Sequence, residues 1–475
     1  MRKEILTASL LFLAGCSLAP DFNPPSMEIP AAFKEDQSAA GDAQWKQIEA
    51  VENMDHGAWW ELFNDPLLNV MEEQAAASSP TLAAAASRVD QARALVRANA
   101  HGFFPDIDIS TNAVRNKPSA ESPTGFSSAP YTLYDTKGAI SYEPDLFSRV
   151  RDSERAYSLD AQAQEATYRS VLLALQADIA QTYFSIRALD SDIALLRDIV
   201  AVQEKAADIT AKRLKAGYAG EADFSRAQSE LESARADLTA LQQQRTALEH
   251  ALAAALGRLP SEFSLTEMPL DKEILPEIPA GLPSSLLTRR PDITAALNSM
   301  AAANARIGAA RAAAFPDLSL NASGGTGTSA LGNLFQWSAR TWALGQVGGA
   351  LLSLPVFDNG RRSANIDRAR AAYDEALANY RTTVLSAFHE VEDSLSGQRF
   401  LAQQFKQQSS AAKAAAHGTS LAQKRFEAGD IDYLDFATAQ RTSLAAERHA
   451  TQVRGQRYII LITLIRALGG GWDEK

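Results

Sequence analysis

The stretch KRLKAGYAGEADFSRAQ, residues 212–228, returns as KRFEAGDIDYLDFATAQ, residues 424–440. Working outward, Tyr168-Arg169 recurs as Tyr380-Arg381, and Phe104-Pro105-Asp106 recurs as Phe315-Pro316-Asp317. The offset, roughly 210–212 residues, is far longer than a solenoid period, so the chain reads as one module written twice. Each copy carries the same order: helix, Pro, strand, loop, strand, Pro, long helix, turn, helix.

The long helices are the strongest local signal. Asp152 to Lys215 contains neither Pro nor Gly. Leu172, Leu175, Ile179, Tyr183, Ile186, Leu189, Ile193, Leu196 and Ile199 follow the 3/4 spacing of an amphipathic helix with a narrow apolar stripe. The second copy repeats the stripe at Tyr373, Leu377, Tyr380, Val384, Phe388, Val391 and Leu395. About 65 residues at about 1.5 Å rise give a rod near 100 Å, and a narrow stripe on such a rod predicts coiled-coil-like packing. Half-length helices are predicted near 70–102, 222–256, 285–314 and 432–468.

Two segments alternate polar and apolar residues strictly, Asp106 to Asn112 and Asp317 to Ser323. Return strands are predicted near Thr132–Tyr142 and Trp342–Leu354, with loops at roughly 115–130 and 324–340. Each strand has about the length that crosses a bilayer when tilted. Tyr131, Tyr134, Tyr142, Phe147, Phe335, Trp337, Trp342 and Phe357 stand at the strand ends, where an aromatic girdle would sit. Pro105, Pro144, Pro316 and Pro355 punctuate the joints, because proline breaks a helix interior. Four membrane strands cannot close alone, and open edges in lipid leave backbone groups unsatisfied. Two chains would pool eight strands and three would pool twelve; twelve leave an open lumen, so three suit a conduit.

The formal net charge of -11, with 57 acidic against 46 basic residues, argues against a nucleic-acid partner. Arg2 and Lys3 precede a short apolar run from Ile5 to Ala14, too short for a permanent span, so residues 1–15 read as a signal peptide. Leu13-Ala14-Gly15-Cys16 resembles the bacterial lipobox and carries the single Cys. The resemblance implies cleavage before Cys16, diacylation of its sulfur, acylation of its amino group and, with Ser17 next, sorting to the outer membrane. More than one acyl chain gives stable anchoring. Pro20, Pro24, Pro25 and Pro30 make the following segment an extended tether.

Together the lipobox, tether, repeat, F-P-D joints and terminal Arg466-Ala467-Leu468-Gly469-Gly470-Gly471-Trp472 resemble the outer-membrane factor family, the TolC/OprM-type efflux channels. The resemblance implies a mainly α fold with a β-barrel part. A trimeric twelve-stranded outer-membrane barrel would continue into a long periplasmic α-helical barrel. It divides the chain into a lipidated tether and equatorial segment (16–65), repeat 1 (66–256, hairpin about 105–144), an equatorial linker (257–284), repeat 2 (285–468, hairpin about 316–355) and a tail (469–475). The implied partners are two further copies of the chain, outer-membrane lipid, a periplasmic adaptor (membrane fusion) protein and an inner-membrane pump. The implied function is a passive gated duct.

The family closes its periplasmic end at the turns that here fall at 216–221 and 428–431. Its pattern of lumen-facing acids in the helix after the second turn falls on Asp432 to Gln440. Asp435 matches the first family position, and Thr438 stands where many members carry Asp. Asp435, Asp432 and Thr438 are therefore the gate candidates, with Asp223 the repeat mate of Asp435. A ring of acids favours cations, whereas the plainer reading is first-turn acids complementing a helix dipole. Adaptor docking would fall on Arg213, Leu214, Gly217, Arg425, Phe426 and Gly429; the alternative is a basic last turn at a helix C-terminus.

The remaining motifs are weak. His389-Glu390-Val391-Glu392-Asp393 lacks the second His of a zincin helix and reads as a solvated face. The histidines at 56, 101, 250, 389, 417 and 449 have no ligand spacing. Gly345, Gly348 and Gly349 precede no helix, so a nucleotide loop is not expected. No catalytic residue, metal site or cofactor is expected beyond the covalent lipid. The competing reading is a poreless periplasmic coiled-coil lipoprotein, structural or adaptor-like.

Overall fold

In the computed structural model, residues 17–35, 58–119, 129–270, 275–276, 278, 286–344, 350–354 and 356–470 are described. Cys16 and the signal segment, His56, Gly345, Gly348, Gly349, Pro355, Trp472 and most of the 271–285 linker lie outside them.

The first compact unit comprises the described residues of Met1–Ser26, Ser87–Glu165 and Ala295–Arg381. It holds the strands β1 (Asp106–Asn116), β2 (Tyr131–Tyr142), β3 (Asp317–Thr328), β4 (Arg340–Leu344) and β5 (Ala350–Ser353). All pairings are antiparallel, in the order β1-β2-β3-β4, with β5 also on β3. Asp106 pairs with Ser141, and Tyr142 with Leu320. Among the described residues β1 pairs only with β2, and β4 and β5 only with β3, so both sheet edges are open. Every residue of β1 is exposed. Ile107, Ile109, Trp337, Trp342 and Leu352 also stand exposed, an apolar surface unsuited to water.

Two strand expectations are corrected. The loop expected from 324 begins later, because β3 continues through Gly324, Gly325 and Gly327 to Thr328. Glycine reads as a turn signal, yet a Cβ at Gly325 would run into the Thr136 carbonyl of the neighbouring strand, so close backbone approach explains the residue. The single return strand near Trp342–Leu354 is split: Leu320 pairs with Ala350 and Ala322 with Leu344, so β4 and β5 share a partner but not a register. At the joints, Phe147 and Phe315 stack with ring centroids 4.8 Å apart.

The second unit comprises the described residues of Met27–Ala86, Ala166–Thr294 and Thr382–Lys475. In chain order the helices are α1 (Pro66–Ser78), α2 (Pro80–Ala100), α3 (Arg149–Lys215), α4 (Glu221–Ala255), α5 (Pro291–Ala312), α6 (Arg361–Ala428) and α7 (Tyr433–Ala467), with a single turn at Leu286–Arg289. Several of these elements are shared between the two units. The segments expected near 70–102 and 285–314 are each interrupted, at Pro80 and at Pro291, because proline is tolerated in a first helical turn but not inside one. α3 and α6 run 67 and 68 residues.

Ile179, Tyr183, Ile186, Ile193 and Leu196 of the expected stripe are fully buried, and each such side chain contributes roughly 1.5–3 kcal/mol. Two notches let the rods approach closely. A Cβ on Gly397 of α6 would lie 2.8 Å from Ile460 Cγ1 of α7, and one on Gly455 of α7 would lie 2.7 Å from Ala188 Cβ of α3. A buried ion network fixes the segment after α4: Arg245 Nε donates to Asp190 at 2.6 Å, and Arg245 and Arg187 donate to the Leu265 and Thr266 carbonyls. The helix around His389 is not a solvated face throughout. Glu392 accepts the backbone N–H groups of Lys34 and Glu35, Glu390 pairs with Arg290 at 2.7 Å, and fully buried Phe33 packs near Phe388.

Candidate functional site

The two helix-to-helix turns stop in the same way. Gly217 has φ 76°, its N–H reaches the Leu214 carbonyl at 3.0 Å, and the Tyr218 N–H reaches the Arg213 carbonyl at 2.8 Å. Gly429 has φ 88°, with Gly429 N–H to Phe426 and Asp430 N–H to Arg425 at 3.1 and 2.8 Å. Each is a Schellman closure, whose left-handed residue suits glycine because it has no Cβ.

The starts of the next helices differ. α4 begins after Gly220, which offers no side-chain cap. α7 begins after Asp432, whose Oδ1 accepts the Asp435 N–H at 2.9 Å. This bond satisfies one of the donors that a helix N-terminus leaves free. Asp435 is exposed in the first turn, where its charge also complements the dipole. Thr438 is exposed and donates to the Leu434 carbonyl at 2.7 Å, and Thr442 donates to Thr438 at 2.9 Å. Helical spacing puts Asp435, Thr438 and Thr442 on one polar face. Asp223 is half-buried and lies 3.9 Å from Arg226.

The docking candidates separate into two groups. Arg425 is exposed, as are both glycines, and Leu214 is half-exposed. Phe426 is only 2% exposed. It stacks on Phe436 with centroids 5.1 Å apart and packs in a cluster with Ala206, Ala227, Tyr433 and Ala437. Arg213 Nη2 donates to the Phe426 carbonyl at 2.6 Å while its guanidinium lies 4.7 Å from the Phe426 ring. Arg213 thus ties the first turn to the second, adding a second donor to the carbonyl that already accepts the Gly429 N–H at the end of α6. The structure therefore gives Arg213 and Phe426 a packing role inside one chain.

Sequence reasoning missed that tie, because its acceptor is backbone and leaves no mark in residue identity. It also missed Tyr218, 86% exposed at the first turn, and the 3.2 Å ion pair of Glu230 with Arg441 joining α4 to α7. Burial, with the Glu230 charge adding to it, pushes the Tyr433 hydroxyl up to about 12, so it stays protonated at neutral pH.

The family model described as outer membrane efflux protein matches residues 72–258 and 282–470. The chain belongs to the outer membrane efflux protein family. It is 32% identical over 481 residues to the probable efflux pump outer membrane protein TtgC of Pseudomonas putida, covering 100% of this chain and 97% of that protein. Its fold is similar to that of the outer-membrane channel OprN, with TM-score 0.86 and 29% identity over 96% of this chain and 100% of that one. The open state of the Neisseria gonorrhoeae MtrE channel gives TM-score 0.81 at 30% identity, over 96% and 98%. This member of the family is an outer-membrane efflux channel subunit, mainly helical in fold. The poreless coiled-coil alternative finds no support among these relatives.

Proposed function

We propose that three copies of the chain pool their strands into one twelve-stranded barrel and form a passive duct across the outer membrane. The observation that carries this reading is the sheet of one protomer, open at both edges with an apolar exposed surface. In lipid, unpaired edges cost several kcal/mol per unsatisfied group, and identical neighbours are the economical way to cover them. Four such strand positions per protomer give eight in a dimer and twelve in a trimer, and twelve leave room for a lumen.

In this reading acyl chains on Cys16 anchor each protomer, and the periplasmic helices meet an adaptor and an inner-membrane pump that supplies the energy. The α3–α4 and α6–α7 turns are the docking end, with Arg425, Leu214 and Tyr218 as outward-facing residues. Asp435 and Thr438 line the constriction, and Asp432 holds the α7 start that presents them. Detergent-extracted protein is expected to migrate as a heat-dissociable trimer and to conduct in planar bilayers. Monomeric, insulating protein would overturn the duct.

A further inference from the structure

Residues 17–20 are seated in a built socket. The Ser17 hydroxyl donates to the Asp152 carboxylate, with Oδ1 at 2.8 Å and Oδ2 at 3.1 Å, and Ser17 Oγ accepts the Ala19 N–H at 3.1 Å. Arg311 Nη1 donates to the Leu18 carbonyl at 3.0 Å, and Asn304 Nδ2 to the Pro20 carbonyl at 2.8 Å. Gly308 completes the wall. A Cβ there would lie 2.8 Å from Ala19 and closer still to the Asp152 carboxylate.

Asp152 is 3% exposed. A carboxylate so buried needs donors, and Ser17 supplies one. Asp152 sits in the first turn of α3, directly after β2, and Gly308 and Arg311 sit in the last turns of α5, directly before β3. β2 and β3 are neighbours in the sheet. The socket therefore lies at the foot of two paired strands.

We propose that this socket is a binding site for the chain's own processed N-terminus, reading the residue after the acylated cysteine and stapling the lipid anchor to the foot of β2 and β3. The proposal rests on acylation at Cys16. It gives Ser17 a structural task besides sorting: Ala would strip a buried carboxylate of its donor, and Asp would set two carboxylates together.

The test uses full-length protein extracted from outer membranes, with mass spectrometry of the N-terminal peptide and hydrogen exchange over residues 17–23. Ser17→Ala, which orphans a buried carboxylate, and Gly308→Val, which crowds Ala19 and Asp152, are expected to keep acylated Cys16 but to exchange roughly tenfold faster or more. Ser17→Thr, which keeps the hydroxyl, is expected to exchange at the wild-type rate. Wild-type exchange in acylated Ser17→Ala would overturn the socket alone. An unacylated Cys16 in the wild-type protein would overturn the anchor reading and with it the ligand.

Discussion

The α3–α4 and α6–α7 turns share a stop and differ in the cap that follows it. Both halt on a left-handed glycine with the same pair of backbone bonds. Then the first copy starts its next helix on bare Gly220, while the second starts on Asp432, whose side chain caps it; the repeat mates Asp223 and Asp435 stand in the opening turns of both. The first copy contributes Arg213, which reaches across to the second; the second contributes Phe426, which packs on its own copy's Tyr433 and Phe436 together with Ala206 and Ala227 of the first. Duplication preserved the geometry of stopping, which backbone sterics enforce, and left side-chain chemistry free to specialise. One copy became the brace and the other the polar face.

The largest asymmetry is expected at the apolar pair. Phe426→Ala should destabilise the turn region by about 3–5 kcal/mol, the range for emptying a buried aromatic site, whereas its repeat mate Leu214, half-exposed, should cost clearly less. Hydrogen exchange across residues 200–220 and 420–440 measures both; equal losses would break the comparison.

Next comes the brace. Arg213→Ala should loosen both turns by about 1.5–3 kcal/mol, the scale for hydrogen bonds to charged groups, and raise basal conductance in planar bilayers. Arg425→Ala, exposed, should leave exchange in both turns unchanged. An Arg425 effect as large as that of Arg213 would remove the brace.

Smaller effects separate the helix starts. Asp432→Ala should cost about 1 kcal/mol through the lost cap, while Gly220→Asn should gain only a few tenths, both read by denaturant midpoint. Asp435→Ala should raise basal conductance with little change in stability, because its side chain is exposed.

The copies also differ in titration. Asp192 of α3 is 4% exposed, and burial pushes its carboxyl up to about 6 against the pull of the Arg448 charge; its repeat mate is exposed Gln404. A folded-state value above the unfolded one means that the neutral acid favours folding. That contribution is fully present below about pH 4 and is lost as pH rises through about 6. Asp192→Asn should flatten the stability profile across this window, and an unchanged slope would place the titration elsewhere.

Much of this was legible in residue identity. The glycines at 217 and 429, the prolines at 105 and 316 and the stripe from Ile179 to Leu196 each mark a local rule of backbone or periodicity. The β3 glycines misled, because a residue type that signals turns was serving close strand approach. Arg213 and Phe426 were legible as a repeated motif but not as partners, since their contact joins a side chain to a distant carbonyl. Ser17 was readable as a neighbour of the lipobox, while Asp152, far along the chain, carried no sign that it would receive the hydroxyl.

The notches at Gly397 and Gly455 restrict how the long rods can move. With Ile460 seated over one and Ala188 over the other, α7 is keyed to α6 and to α3 at fixed heights, and axial sliding would drive side chains into backbone. A piston stroke along this stretch would have to break both of these close contacts.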